Sequence, residues 1–369
     1  TRKESSAASD VYKRQIFTCL YFEMKYFHTF DALRFLAFFI VFLQHLPLKE
    51  NSILSFFSKS GGIGVQIFFI LSGFLITYIL IETKKKNQNI NIKNFLIRRG
   101  LRIWPLYFAM VFFAFFTPFI LQFLSLEFSG EGYEPNWIFP FLFLENYEMM
   151  WKNDFPNASP LRVMWSLCIE EHFYIIWAVV FYFISFKKLP LFLGLSLIFS
   201  LVCRIIYHQI ELTSLDLNTN LIYFSSGGIL AYFTSFHFYR VNSLQNIPVF
   251  IKWLFAVIIV FLFFYVPHIH IDRVILEPLI ICFVTILLLS FTLPEKNSLK
   301  ISNQNIFSRL GKYTYAMYLF HTIWINFFVK FSQNFWLIFS LSLTATILSS
   351  ILSYYLFENQ FLKLKKLFI

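Results

Sequence analysis

Charged side chains are scarce in this sequence. Of its 369 residues, 14% are Asp, Glu, Lys or Arg, whereas 58% are hydrophobic. A soluble domain carries about a quarter charged residues, so the composition excludes an ordinary soluble fold. The charges lie in short islands between apolar runs of about 18–24 residues, the length that a helix needs to cross a bilayer. The sequence therefore predicts an all-α, polytopic membrane protein that contacts the lipid bilayer.

Cysteine is also scarce. The four cysteines, Cys19, Cys168, Cys203 and Cys282, show neither a CxxC motif nor any other metal-ligand spacing. This pattern argues against a disulfide framework and against a zinc site, and we predict no metal. Acidic residues are outnumbered, which gives a formal charge of +11. The basic residues fall between apolar spans, where membrane topology explains them, and we predict no nucleic-acid partner.

The first residues differ in composition from everything that follows. Residues 1–23 are mostly polar and lead to Met24, a plausible natural start just before the first apolar run. We interpret residues 1–23 as a non-native or disordered leader. Residues 24–369 are then expected to form one transmembrane domain.

Ten apolar runs are long enough to be membrane spans. They cover residues 30–48, 62–82, 101–124, 165–186, 189–207, 219–239, 248–266, 274–293, 313–331 and 335–357. With Met24 in the cytosol, the inner segments hold nineteen Lys and Arg and the outer segments hold six. This bias follows the positive-inside rule and predicts that both termini are cytosolic.

Two stretches between the spans have their own character. The apolar stretch 137–144 is too short to cross the bilayer and is expected to be re-entrant or interfacial. The outer loop of about residues 125–164 contains several acidic residues. It is either a solvated surface or part of an acceptor-binding rim.

Eight ionisable side chains lie inside predicted spans, where they are costly and usually face a polar interior. They are Arg34, His45, Glu170, Glu171, His172, Arg204, Glu277 and His321. Each could simply hold helices together through an ion pair or hydrogen bond. Eight ionisable residues in ten spans, three of them adjacent in the fourth, favour a functional site.

Depth in the membrane suggests which of them act together. His45 lies roughly 5 Å from the outer end of span 1 and Glu170 roughly 8 Å from that of span 4. A carboxylate at matching depth can orient an imidazole and raise its basicity. We therefore predict His45 as a general base and Glu170 as its partner.

Three arginines cluster at the cytosolic end of span 3. Arg98 and Arg102 are four residues apart and Arg99 and Arg102 are three apart, so on a helix the three are neighbours. Their guanidinium groups suit a phosphate-rich ligand. The alternative is a topology anchor that touches lipid headgroups.

Five sequence blocks, in this order, resemble the acyltransferase-3 family of integral-membrane acyltransferases. They are Asp31-Ala32-Leu33-Arg34 through His45, residues 64–76, the Arg-rich block 98–107, the Trp-Ser-Leu block 165–174, and residues 315–321. The resemblance runs from Phe30 to about Phe357.

The resemblance implies a ten-helix bundle that takes an acyl group from cytosolic acyl-CoA, with acetyl-CoA the expected donor. The acceptor would be a hydroxyl of an extracytoplasmic glycan or small molecule. The implied roles are catalysis for His45 and Glu170, and binding of CoA phosphates for the Arg98, Arg99 and Arg102 cluster. We interpret five other residues as supporting or structural polar groups: Asp31, Arg34, Glu171, His172 and His321. No permanently bound cofactor is expected.

Two positions depart from the family pattern. Gln66 stands where many members have Asp, and His172 stands where Gln is common, which could add a titrating group near the site. Some members also carry a soluble extracytoplasmic esterase-like domain. This sequence ends about a dozen residues after its last span, so we expect direct transfer or a separate extracytoplasmic transferase or esterase partner.

Two other functions are alternatives to acyl transfer. A polysaccharide or lipid-linked sugar transporter would also have many spans and buried charges, but inverted repeats and midplane helix breaks do not stand out here. An assembly scaffold would tolerate replacement of His45 and Glu170. The prediction is a multi-pass acyltransferase of the cell membrane, expected in the inner membrane of a bacterium.

Overall fold

The computed structural model describes residues 26–48, 53–125, 131–294, 296–297 and 299–368. The leader predicted over residues 1–23 lies outside the described residues. Within them the fold is helical, and the only extended pairing there is an isolated bridge between Tyr133 and Pro156. The helices are α1 (His28–Gln44), α2 (Ile53–Ser58), α3 (Gly61–Asn87), α4 (Ile92–Phe123), α5 (Ile138–Phe141), α6 (Glu145–Lys152), α7 (Trp165–Phe183), α8 (Leu189–Gln209), α9 (Leu217–Phe236), α10 (Phe238–Ser243), α11 (Val249–Tyr265), α12 (Leu276–Thr292), α13 (Ile306–Gly311), α14 (Thr314–Phe331), α15 (Phe335–Ser353) and α16 (Asn359–Leu364).

The prediction of an all-α membrane bundle is confirmed at this level. Each predicted span coincides with a helix of the structure, namely α1, α3, α4, α7, α8, α9, α11, α12, α14 and α15. Six stretches in the described ranges are long and apolar enough to cross a bilayer: Ser55–Asn87, Ile92–Phe123, Trp165–Phe183, Leu189–Gln209, Val249–His268 and Phe335–Phe368. Several such helices support a multi-pass membrane protein; the exact number of ten and the position of the termini stay predictions.

Several helices begin at a side chain that caps them. Asn91 accepts a hydrogen bond from the backbone N–H of Asn94 at the start of α4, and Asp216 accepts one from Thr219 at the start of α9. Asn334 does the same at the start of α15. A capping oxygen satisfies an N–H group that has no partner within the helix, so short polar residues between apolar runs fix where these helices begin.

Helices α3 and α9 cross at the centre of the bundle with their backbones in contact. A Cβ atom at Gly73 would lie 2.2 Å from the Phe224 carbonyl oxygen, and one at Gly227 would lie 2.0 Å from that of Ile70. Only glycine allows this approach, as in other closely packed membrane helices. The crossing fixes α3 in the middle of the bundle, where its Ser72 faces α7.

The segment from residue 131 to residue 164 folds against one end of the bundle. This is the end that the Lys and Arg distribution predicts to be extracytoplasmic, and we call it the outer end. Tyr107 on α4 donates a hydrogen bond to the carbonyl oxygen of Pro140, and Asn146 donates one to that of Leu215. The stretch 137–144 contains the four-residue helix α5. These contacts join the outer segment to α4 and to the turn that precedes α9.

Candidate active site

His45 directly follows α1 at the outer end. Pro47 stands two residues later and cannot continue the helix. The Nδ1 atom of His45 lies 2.9 Å from the carbonyl oxygen of Val41, one helical turn earlier. A carbonyl oxygen only accepts hydrogen bonds, so Nδ1 carries the proton and Nε2 of the neutral ring keeps its lone pair.

His321 on α14 is the side chain that contacts His45. It is fully buried, and its Nε2 atom lies 3.3 Å from His45 Nδ1. Its own Nδ1 donates to the carbonyl oxygen of Tyr318 at 2.7 Å, which leaves Nε2 as an acceptor. The His45 N–H is therefore shared between the Val41 carbonyl oxygen and His321 Nε2. The two histidines, which the sequence separates by 276 residues, form one pair.

Glu170 is not hydrogen-bonded to His45. Its two carboxylate oxygens accept hydrogen bonds from Ser72 at 2.7 Å and from Tyr174 at 2.8 Å. His45 contacts Val41 and His321 instead. The direct hydrogen bond predicted between His45 and Glu170 is therefore not formed in the described part of the chain.

The register between α7 and α14 explains why. Ser166 at the start of α7 lies 2.8 Å from the hydroxyl of Tyr318, so these two residues share one level. His321 is one turn further out on α14, and Glu170 is one turn further in on α7. The two are thus about two turns, roughly 10 Å, apart along the bundle. The predicted depth of His45 differs because span 1 is predicted to continue to residue 48, whereas α1 ends at Gln44.

The inner part of the interior holds the Arg34 and Asp31 pair. Arg34 Nη1 donates to Asp31 Oδ1 at 2.8 Å, and the Tyr26 hydroxyl donates to the same carboxylate. The two side chains are three residues apart on α1, so they form a local ion pair. This arrangement agrees with their interpretation as supporting polar groups, although their contribution to activity remains a prediction.

The arginine cluster lies near the inner end of α4. Arg98 Nη1 donates to the carbonyl oxygen of Phe368 at 2.6 Å. The Arg99 guanidinium lies 5.5 Å from the Phe95 ring centroid, and its buried Nε has no hydrogen-bond partner among the described residues. Within these same ranges, no carboxylate forms an ion pair with Arg98, Arg99 or Arg102. The cluster is therefore a concentration of positive charge without a directly paired acid in the described ranges, although Glu170, Glu171 and Glu358 are close enough to interact electrostatically with Arg99 or Arg102.

Glu171 and His172 of α7 have contact partners other than the histidine pair. Glu171 accepts a hydrogen bond from Trp104 Nε1 at 3.1 Å, and this contact joins α7 to α4. The His172 ring stacks on Tyr147 of α6, with ring centroids 5.6 Å apart. His172 therefore contacts the outer segment.

A cavity of about 320 Å³ opens beside His45 at the outer end. Its lining combines side chains from α1, from α14 and from the outer segment: Gln44, His45, Phe155, Ser159, Arg162, Thr322, Ile325 and Asn326. The cavity is large enough for a sugar ring. Its polar side chains and the Arg162 guanidinium lie next to the His45 imidazole.

Arg162 is the residue of this cavity that sequence reasoning missed. Its guanidinium lies 5.8 Å from the Phe155 ring centroid, and no acid pairs with it in the part of the chain that the structure describes. In the sequence it is one basic residue of a long outer loop. Only the fold of that loop brings it to His45.

Comparison with known proteins gives the family context of this geometry. A family model described as an acyltransferase domain matches residues 27–355. No solved structure matches the chain at a significant level.

Several curated proteins are similar to part of the chain. The peptidoglycan O-acetyltransferase OatA of Listeria monocytogenes is 36% identical over 198 residues, which are 50% of this chain and 30% of that protein. The putative peptidoglycan O-acetyltransferase YrhL of Bacillus subtilis is 34% identical over 159 residues, 42% of this chain and 23% of that protein. The O-acetyltransferase OatA of Staphylococcus aureus is 30% identical over 172 residues, 45% of this chain and 26% of that protein. The matched region thus spans less than a third of each relative.

Proposed function

Because the chain belongs to the acyltransferase family whose model covers residues 27–355, we propose that it is a membrane-embedded O-acyltransferase. It transfers an acetyl or other short acyl group from cytosolic acyl-CoA to a hydroxyl of a cell-wall glycan. The names of the similar proteins support an acetyl group and a peptidoglycan-type acceptor. The proposed protein has ten spans and cytosolic termini in a bacterial inner membrane, and acts directly or with a separate extracytoplasmic partner.

The arginine cluster is proposed to hold the donor. Acyl-CoA carries several phosphate groups, and guanidinium groups bind phosphate through paired, charge-assisted hydrogen bonds. No carboxylate lies within ion-pair distance of Arg98, Arg99 or Arg102 in the described ranges, so phosphate oxygens could bind these guanidinium groups directly. Acyl-CoA bound there would direct its thioester arm toward the interior.

The middle of the bundle is proposed to form the path of that arm. Ser72, Glu170 and Tyr174 make a hydrogen-bonded group between the inner arginines and the outer histidine pair. The pantetheine arm of CoA is long and carries amide groups, which need hydrogen-bond partners inside a membrane protein. Glu170 would then act by holding these polar side chains along the donor's route, not by orienting His45.

The observation that carries the proposed mechanism is the contact between His45 and His321. His45 Nδ1 carries the proton and points to Val41 and His321 Nε2. The other ring nitrogen, Nε2, is the basic atom of a side chain that lines the outer cavity. A base with this protonation can take a proton from an acceptor hydroxyl there.

In the proposed reaction, His45 takes up one proton and later returns it. The acceptor O–H gives its proton to His45 Nε2 while its oxygen attacks the thioester carbonyl carbon. The resulting tetrahedral intermediate collapses, the C–S bond breaks, and the CoA thiolate takes the proton from Nε2. While His45 is positively charged, His321 Nε2 accepts the hydrogen bond from its Nδ1–H. General-base catalysis of this kind contributes about 10²–10⁴ in rate.

Arg162 is proposed to stabilise the intermediate. Attack on the thioester places negative charge on the carbonyl oxygen, and a fixed positive group near that oxygen lowers the barrier. Arg162 lines the same cavity as His45, so it is the cation best situated for this role. Removing one such group costs about 10²–10³ in turnover.

Transfer of a labelled acetyl group tests the proposal. The purified protein in nanodiscs would be supplied with radiolabelled acetyl-CoA and soluble glycan oligomers, and label in the glycan would be counted. We expect transfer by the unaltered chain, loss of transfer in His45→Ala, and unchanged acetyl-CoA binding in that variant. A fully active His45→Ala protein would contradict the mechanism. Movement of the glycan into sealed proteoliposomes that contain the protein, without acylation, would instead support the transporter function.

A further inference from the structure

A second, larger cavity lies in the outer segment and has no part in the proposed reaction. Its volume is about 550 Å³. It is formed by two short stretches of the outer segment and is lined by Glu134, Pro135, Asn136, Phe139, Glu148, Trp151 and Lys152. The lining thus combines two aromatic rings with acidic, amide and ammonium groups.

The polar groups of this cavity are held in place by their neighbours. Glu148 is almost fully buried, accepts the backbone N–H of Asn136 at 3.3 Å, and lies 3.8 Å from Lys152 Nζ. Lys152 Nζ also lies 4.8 Å from the Tyr133 ring centroid. Fixed donors and acceptors reduce the entropic cost of binding a polar ligand.

Trp151 supplies an apolar platform beside these polar groups. It is 82% exposed although it is a large hydrophobic side chain. On α6 it is three residues after Glu148, so the indole and the carboxylate share one face of the helix. Sugar rings present an apolar C–H face between hydroxyl groups. An exposed indole next to a carboxylate and an amide matches both parts of that surface.

A short backbone ladder ties this cavity to the one beside His45. The Tyr133 N–H donates to the Phe155 carbonyl oxygen at 3.1 Å, and the Asn157 N–H donates to the Tyr133 carbonyl oxygen at 2.8 Å. Phe155 lines the His45 cavity, and Glu134, which follows Tyr133, lines the larger one. Gly132, with φ of +97°, permits this pairing, since a Cβ atom there would lie 2.1 Å from the Phe155 oxygen.

We propose that the larger cavity is a subsite for a second sugar unit of a polymeric glycan whose reacting unit occupies the His45 cavity. This inference rests on the proposed function. One chain of linked sugars would then contact both cavities across the ladder, and the enzyme would prefer oligomers to single sugars. The two acidic residues of the lining, Glu134 and Glu148, outnumber its one basic residue, Lys152, so the lining disfavours a phosphate or an anionic lipid headgroup as the occupant.

Interfacial anchoring is the competing role for an exposed tryptophan, because indole rings favour the membrane surface. Trp336 is a matched control for this role. It is 65% exposed in the first turn of α15, at the outer end, and lines neither cavity. Substitution of both tryptophans separately therefore distinguishes sugar binding from membrane anchoring.

Transfer to β-1,4-linked N-acetylglucosamine oligomers of one, two and four rings tests the subsite. Trp151→Ala should raise the KM for the four-ring oligomer about tenfold, toward the KM for the single sugar. Turnover of the single sugar and the KM for acetyl-CoA should change less than twofold. Glu134→Gln should raise the oligomer KM about threefold, and Trp336→Ala should change none of these values. Equal losses for all oligomers, or equal losses in both tryptophan variants, would overturn the subsite.

Binding without turnover separates this inference from the proposed function. Titration calorimetry would measure the Kd of the four-ring oligomer for the His45→Ala protein in nanodiscs. Adding Trp151→Ala should weaken binding about tenfold, whereas adding Trp336→Ala should not. Unchanged binding in the first double variant would overturn the subsite even if transfer by the unaltered protein succeeds. Weakened binding together with an active His45→Ala protein would overturn the proposed mechanism and leave the subsite supported.

Discussion

His321 Nε2 lies 3.3 Å from His45 Nδ1 and accepts a hydrogen bond from the N–H group that His45 also directs at the Val41 carbonyl oxygen. This places a neutral imidazole where a carboxylate was expected. A neutral acceptor stabilises a charged His45 less strongly than a carboxylate would. His321 nevertheless fixes the orientation of the His45 ring and leaves His45 Nε2 free for the acceptor hydroxyl.

Substitution of His321 tests this positioning role. A Gln side chain can place an acceptor oxygen near the position of Nε2, whereas an Asn side chain is too short. We therefore expect His321→Asn to lower kcat roughly tenfold to hundredfold and His321→Gln to retain more activity. The KM for acetyl-CoA should be unchanged in both variants, as measured by initial rates with a soluble acceptor. Equal loss in the two variants, together with lower protein stability, would indicate a packing role only.

Neutralising the arginine cluster should weaken donor binding selectively. Each charge-assisted hydrogen bond is worth about 1.5–3 kcal/mol. The triple change of Arg98, Arg99 and Arg102 to Gln should therefore raise the KM for acetyl-CoA at least about a hundredfold. The KM for the glycan should be almost unchanged.

Arg240→Gln is the control for that experiment. Arg240 is an exposed arginine that the sequence also places on the cytosolic side. The Arg240→Gln change should leave the KM for acetyl-CoA unaltered. If donor affinity survives the triple change while the orientation of the chain reverses in a cysteine-accessibility assay, the cluster is only a topology anchor.

A double-mutant cycle should show that Glu170 is coupled to Ser72 and not to the histidine pair. Ser72 donates directly to Glu170, whereas His321 lies about two turns further out. We expect a coupling energy above about 0.5 kcal/mol between Glu170→Gln and Ser72→Ala, from thermal unfolding in detergent. Glu170→Gln and His321→Asn should add within about 0.5 kcal/mol. Strong coupling in the second cycle would restore Glu170 as a partner of the histidines.

Much of the fold could be predicted from the sequence because membrane helices are specified locally. About twenty apolar residues and a capping Asn or Asp determine a helix with little information from the rest of the chain. This is why helices α3, α4, α7, α8 and α15 lie where the apolar runs predicted spans. The polar side chains of the interior could also be predicted, because an ionisable residue in a membrane span is costly unless it faces other polar groups.

The pairing of those side chains could not be predicted in the same way. It depends on how each helix is rotated and on the register between helices, and neither leaves a local signal in one sequence. The sequence therefore paired Glu170 with His45, although the Ser166 and Tyr318 contact sets a different level. Arg162 and the larger cavity depend on the outer segment, whose short helices α5 and α6 have no periodic pattern long enough to predict their packing.

Glu145 should make the outer segment sensitive to pH. It is fully buried; one oxygen accepts the Tyr133 hydroxyl at 2.8 Å, and the other has no hydrogen-bond partner in the described ranges. Burial raises the pKa of Glu145 from its ordinary value of 4.5 to about 7, and the nearby Glu148 carboxylate also raises it. The folded segment therefore binds a proton that the unfolded chain releases near pH 4.5.

The sign of the effect follows from this difference. The stabilising contribution of the protonated carboxyl is fully present below about pH 4.5 and is lost as the pH rises through about 7. Complete ionisation should cost on the order of 3 kcal/mol. Hydrogen exchange over residues 131–152, corrected for intrinsic rates, should show greater protection at pH 5.5 than at pH 8.5. Glu145→Gln should remove the difference, and the exposed Glu131→Gln should keep it. Equal protection at both pH values in the unaltered protein would contradict a buried carboxyl that stays protonated near neutrality.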